Sequence, residues 1–143
     1  MNKTFSIAIH GGAGTIHKSE MSDEEEVAYK TALSLALNNG YNSLFEGNSA
    51  LDAVEIAVSS LEDSPLFNAG KGAVFTHEGK HEMDASIMEG KNLSAGAVAG
   101  VEGIKNPIQL ARKIMDASEH VFLAGNGALE FAKEQGFSLM PDE

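Results

Sequence analysis

Apolar spacing changes twice along this chain, from helical to strand-like and back to helical, and that order restricts the folds open to it. Leu33, Leu37, Tyr41 and Leu44 recur at helical intervals, as do Leu51, Val54, Val58 and Leu61. Ser22 and Glu25 have the spacing of a capping box, so a first helix is expected over about residues 23–46, with Gly40 as a point where it can bend. Asn48 and Ser49 restart a second helix, flanked by Ala50, Ala53 and Ala57, with Pro65 just past its end. Phe5, Ile7 and Ile9 alternate with smaller residues, which predicts a strand over Thr4–His10 ended by the turn Gly11-Gly12-Ala13-Gly14. Short strands are expected at Ala73–Thr76 and Glu82–Met88 around the turn Glu78-Gly79, and Ser94–Val101 is small and apolar enough for a strand buried on both faces. Asn106 and Pro107 read as a cap and a first helical proline, opening a helix over Pro107–Ala117. A strand at Val121–Ala124 and a helix at Gly127–Gln135, stopped by Gly136, complete the pattern. The middle strands follow one another without intervening helices, which favours a layered α+β sandwich over a repeating βα winding.

Composition narrows the function classes. At 143 residues the chain fits one domain. A net charge of −11 leaves no Lys/Arg footprint for nucleic acid or for an anionic membrane surface. The densest acidic run, Asp23-Glu24-Glu25-Glu26, is more simply a helix N-terminus, where carboxylates complement the helix dipole. With no cysteine, disulfides, thiolate nucleophiles and thiolate-bound zinc are excluded. Neither a signal-like apolar region at the start nor an apolar run of about 18 residues is visible, so a cytoplasmic setting is expected.

Individual candidates are weak when taken one at a time. His10-Gly11-Gly12-Ala13-Gly14 could cradle a ligand with backbone N–H groups, but His17 stands where a dinucleotide fingerprint needs a third glycine, and a tight structural turn is the simpler reading. His77 and His81 are four apart with Gly79 between them, so they do not share a helix face, and two exposed hairpin histidines are expected rather than a zinc site. His10 and His120 have no visible acidic partner. Glu82 and Asp84 would share a strand face and could do acid–base work, although a hydrogen bond from Asp84 to a neighbouring turn explains the pattern as well. The loop from Leu61 to Gly72 is the least ordinary segment: Pro65, Gly70 and Gly72 break regular structure while Leu66 and Phe67 seek burial. Its carbonyls need partners, either a hard cation or ordinary turn hydrogen bonds and water.

Order and spacing are more specific. Ile9–Gly14, Pro65–Phe75 (Pro-Leu-Phe-Asn-Ala-Gly-Lys-Gly-Ala-Val-Phe), Met83–Gly90, Ala95–Val101 and Asn106-Pro107 succeed one another over nearly the whole chain. Together they resemble the plant-type (class 3) L-asparaginases, or isoaspartyl peptidases. That resemblance implies an N-terminal-nucleophile hydrolase, made as a precursor that cuts itself into α and β subunits, and it makes residues 1–143 the α subunit. The implied fold is a four-layer αββα sandwich whose sheets are completed by the β subunit, in an (αβ)2 heterotetramer. An α part on its own would expose apolar sheet edges, so it is not expected to be a stable monomer.

The implied activity is hydrolysis of small-molecule substrates, L-asparagine and β-aspartyl dipeptides, by a threonine that begins the β subunit. No primary catalytic residue is expected in this chain, whose Thr4, Thr15, Thr31 and Thr76 are all internal. Three residues carry over as active-site support: Asn68, which would orient the nucleophile, and Gly11 and Gly12, whose backbone would lie near it. The loop 61–71 matches a stabilisation loop that binds a structural sodium ion through the main-chain carbonyls of Leu61, Glu62, Ser64, Phe67, Ala69 and Lys71. No cofactor for catalysis is implied. An inactive relative and an anion-binding α/β module remain as the alternatives.

Overall fold

The computed structural model describes residues 4–12 and 21–141. Helix α1, Asp23–Glu46, opens on the expected capping box: the Glu25 N–H donates to Ser22 Oγ at 3.1 Å and the Ser22 N–H donates to Glu25 Oε2 at 2.8 Å. Gly47 closes it at φ 98°, a left-handed cap that glycine adopts without strain. Helix α2, Ala50–Glu62, begins on a second capping box between Ser49 and Asp52. The two helices pack side by side. Gly40 serves their close approach, since a Cβ there would lie 2.6 Å from Ile7 Cδ1 and 3.0 Å from the Ala53 carbonyl oxygen.

A three-stranded sheet follows, in the order β1 (Met83–Met88), β2 (Ala95–Val101), β3 (Phe122–Ala124). Strands β1 and β2 are antiparallel; β2 and β3 are parallel, joined through helix α3, Pro107–Ala117. Helix α4, Gly125–Glu134, continues directly from β3. Ile108, Leu110, Ala111 and Ile114 of α3, with Ala128 and Ala132 of α4, meet Met83, Ile87, Val98 and Val101 in the main core. Gly96 lets α3 sit against β2, because a Cβ there would come within 2.6 Å of Met115 N and closer still to the Ala111 carbonyl oxygen.

Three strand expectations are corrected. Residues 4–10 alternate in burial as an extended segment should, but they form no ladder among the described residues. Side-chain alternation records which face is covered; a strand also needs a neighbour for its N–H and C=O groups. Residues 73–76 are likewise irregular: turn bonds from the Thr76 N–H to the Lys80 carbonyl, 2.7 Å, and from the Gly79 N–H to the Thr76 carbonyl, 3.0 Å, take the place of a hairpin ladder, and Val74 and Phe75 stand exposed. Strand β2 is buried on one face only. The helices cover Gly96, Val98 and Val101, while the opposite face shows Asp84, Ser86, Met88 and Phe122 to solvent beside Ala97 and Ala99. Small side chains there made the sequence look doubly covered, although no described element lies on that face. Ala13, Gly14 and His17 of the glycine-rich turn and the last two residues, 142 and 143, lie outside the described residues. No helix among the described residues is long and apolar enough to cross a membrane.

Candidate functional site

A second, smaller core draws the N-terminal segment and the irregular loop together. Ala36, Leu61 and Phe67 are buried, with Ile9, Tyr29, Leu33 and Leu66 packed around them. Tyr29 meets Phe67 edge-on at 5.8 Å between ring centroids. Gly11 lies flat against this cluster: a Cβ on it would sit 2.8 Å from Leu33 Cδ2 and 3.1 Å from Phe67 Cε1. Only a residue without a side chain can bring its backbone so close to the loop. Gly12 follows at φ 83°, in the left-handed region. Gly11 and Asn68, 57 positions apart in sequence, therefore both neighbour Phe67.

Asn68 is exposed, and its Oδ1 accepts the Val74 N–H at 3.0 Å. That bond clasps the loop across the short 3-10 turn Gly70–Gly72 and fixes the side chain in one orientation. The loop is tightly wound beneath it. A Cβ on Gly72 would fall 2.8 Å from the Pro65 carbonyl oxygen and closer to that of Phe67, and a Cβ on Gly70, at φ 52°, would strike Glu62. Carbonyl oxygens of Glu62, Pro65 and Phe67 are thus turned in against the glycines. Of the expected cation ligands, Leu61 O accepts the Ser64 N–H at 3.1 Å, Phe67 O the Ala69 N–H at 2.8 Å and Ala69 O the Gly72 N–H at 3.1 Å. Each carbonyl has a second lone pair, so these bonds leave it acceptor capacity.

The loop begins on a buried carboxyl. Glu62 is 3% exposed, and its Oε1 accepts the Ile108 N–H at the start of α3, 2.9 Å away. Burial pushes this carboxyl up to about 7, against the lowering effects of the Ile108 N–H and of Asn106. Asp63 beside it accepts from Asn106 Nδ2 at 3.2 Å and pairs with Lys105 at 3.0 Å. Asn106 therefore occupies the cap position of α3 without capping it: its side chain turns to Asp63, and Glu62 binds the helix N-terminus instead. The sequence reading gave Glu62 only through its carbonyl and Asn106 only as a cap. No local spacing signals a bond between residues 46 apart.

The remaining candidates do not form a site. Asp84 Oδ1 accepts the Gly100 N–H at 2.8 Å, where the register of β1 and β2 slips between Met83 and Ala85. This is a structural use, but the partner is the neighbouring strand and not a turn, and neither Asp84 nor Glu82 is buried. His81 is half-buried and not exposed as expected, its ring tilted against Phe75 at 4.1 Å between centroids, while His77, His10 and His120 are exposed. Among the described residues no group of three or more His, Cys, Asp or Glu side chains is arranged to hold a metal. Arg112 had not been singled out: it bonds Asp116 at 2.7 Å and reaches Asp52 and Glu55 at 3.3 Å, tying α3 to α2. Its i, i+4 spacing to Asp116 was the one available signal.

Comparison with known proteins gives this geometry a context. The sequence pattern of the family described as Asparaginase matches residues 3–143. The chain is 51% identical to an isoaspartyl peptidase of Salmonella typhimurium over 99% of its own length and 45% of that protein's. It is 53% identical to a plant-type L-asparaginase of Pyrococcus horikoshii, covering 92% of this chain and 42% of the relative. An isoaspartyl peptidase/L-asparaginase of Xenopus laevis is 47% identical over 96% of this chain and 43% of its own length. The chain thus spans less than half the length of these curated relatives.

Proposed function

The chain belongs to the asparaginase family, and on that footing we propose that it is the α part of a threonine-nucleophile amidohydrolase that cleaves L-asparagine and β-aspartyl dipeptides to release aspartate. The observation that carries this reading is identity near one half, over nearly the whole chain, to proteins named isoaspartyl peptidase and plant-type L-asparaginase. The anion-binding module has no such support.

The nucleophile belongs, in this proposal, to the part of the relatives that the present sequence does not span. A threonine at the start of a β subunit, freed by self-cleavage, has its own α-amine as base. That amine has a reference pKa of roughly 8, which suits proton transfer near neutrality. The hydroxyl attacks the side-chain amide carbon, ammonia or the amino component leaves with a proton, and water then hydrolyses the acyl-enzyme to aspartate and the regenerated threonine. This chain's contribution is positional. Asn68 is held by the Val74 N–H next to Phe67, whose ring lies against the Gly11 backbone, and its amide would orient the nucleophile from there. The main-chain carbonyls of Leu61, Glu62, Ser64, Phe67, Ala69 and Lys71 would hold a structural sodium ion; of these, the carbonyls of Glu62 and Phe67 turn in against Gly70 and Gly72, and such oxygens are the ligands a hard cation takes. Such an ion would brace the loop and takes no part in the reaction.

The uncovered sheet face favours the same division. Met88 and Phe122 are more than half exposed beside Ala97 and Ala99. A second sheet laid on this face would complete a four-layer αββα sandwich, and the β subunit of an (αβ)2 heterotetramer is the proposed source. A cytoplasmic location goes with this reading.

The test is to express the longer polypeptide that carries this sequence, identify its fragments by intact mass and N-terminal sequencing, and assay ammonia release from asparagine and aspartate release from a β-aspartyl dipeptide. A second fragment beginning with threonine, and activity that needs both fragments, is expected. Aspartate release by residues 1–143 alone would refute the division of labour, and a partner without an N-terminal threonine would indicate an inactive relative.

A further inference from the structure

We infer that Glu62 is a positioning residue, whose buried carboxyl locks the Asn68 loop to the N-terminus of α3 and so sets where Asn68 stands relative to the sheet. This deepens the hydrolase reading and rests on it for its catalytic readout. Three contacts converge at one point: Glu62 Oε1 accepts the Ile108 N–H at 2.9 Å, Asp63 Oδ1 accepts from Asn106 at 3.2 Å, and Lys105 pairs with Asp63 at 3.0 Å. A helix N-terminus presents unsatisfied N–H groups and a partial positive charge. In α3 the first residue, Pro107, has no N–H, and Asn106 is turned away, so Glu62 supplies the side-chain acceptor from another element.

The same residue is the floor on which the loop folds back. Gly70 crosses so close to the Glu62 backbone and Cβ that no side chain would fit, and from there the chain runs to Val74, whose N–H holds Asn68. Helix α3 in turn packs on β1 and β2 through Ile108, Ala111 and Ile114. On the path from sheet to Asn68, Glu62 is thus the buried side chain that bonds the helix backbone, beside the Asp63–Asn106 bond and the packing of Ala73 in the main core. Glutamine can keep the acceptor for Ile108; alanine cannot.

The experiment uses the full-length polypeptide with Glu62→Ala, Glu62→Gln and the core control Ile114→Val. Hydrogen exchange by mass spectrometry is read over peptides covering residues 66–75 and 104–112, together with kcat and KM for asparagine. Glu62→Ala is expected to speed exchange in both segments and to lower kcat, each about tenfold, while KM moves less than about threefold. Glu62→Gln is expected to recover most of both, and Ile114→Val to leave residues 66–75 and kcat near wild type. Unchanged exchange over 66–75 in Glu62→Ala, no recovery in Glu62→Gln, or an equal kcat loss in Ile114→Val would each overturn the inference. Should Glu62→Ala not fold, Asn106→Ala is read in its place with the same expectations, since it opens the same junction from the other side. If the wild-type protein hydrolyses nothing, the hydrolase reading fails and exchange alone decides the role of Glu62.

Discussion

Replacing Gly96 by alanine probes how closely α3 lies on the sheet. A Cβ at this position would stand 2.6 Å from Met115 N and 2.8 Å from Met115 Cβ, and nearer still to the Ala111 carbonyl oxygen. Ordinary contact begins near 3.4 Å, so the helix would have to withdraw by about 0.8 Å or more, and the struck atoms are mostly backbone, which cannot rotate aside. Overpacking of this kind costs about 1–3 kcal/mol and occasionally more. Withdrawal would also loosen Ile108, Ala111 and Ile114, all at most 3% exposed. Against this stands about 0.4–1 kcal/mol gained from a less flexible unfolded chain. The expected net loss is about 2–3 kcal/mol, read as a lower urea midpoint at unchanged slope. Gly90 is the control: it has open space around a Cβ and no positive φ, so Gly90→Ala should change stability by less than about 0.5 kcal/mol. If the two variants unfold at the same urea concentration, the close helix–sheet contact is wrong.

Three further outcomes are expected. Asn68→Ala frees the Val74 N–H and removes the amide proposed to orient the nucleophile, so kcat for asparagine should fall by about 10²-fold while the free energy of unfolding in urea changes by no more than about 1 kcal/mol; activity within threefold of wild type would refute that role. Ile114→Ala, at a fully buried site, should cost about 2–5 kcal/mol in urea unfolding. Glu62 gives a pH signature. Its folded-state value lies above the ordinary 4.5, at about 7, because burial disfavours the charge. The native state therefore holds the proton more tightly than the unfolded chain, so this contribution is full below 4.5 and is lost as pH rises toward 7. At about 1.36 kcal/mol per pH unit the loss is about 3 kcal/mol. Glu62→Gln should flatten that slope between pH 4.5 and about pH 7, and parallel urea midpoints for wild type and variant would count against it.

Local chemistry wrote most of the element boundaries. Ser22 with Glu25 and Ser49 with Asp52 start the first two helices through bonds that span three residues, and Pro107 opens α3 where it lacks an N–H to lose. Such signals are legible because both partners sit in the same few residues. The order of the motifs around Gly11, Asn68 and Asp84 also identified the family without coordinates. Tertiary structure alone decided which extended segments become strands, because residues 4–10 and 73–76 carry the right side chains but no ladder partner. It alone also turned Asn106 to Asp63, seated Glu62 on Ile108 and pressed Gly11 onto Phe67. Those contacts join residues far apart along the chain, and sequence spacing records only what the backbone does over a turn or two. Small residues at Ala97 and Ala99 fit a covered face as well as an open one, so that side of the sheet could be assigned only from the packed structure.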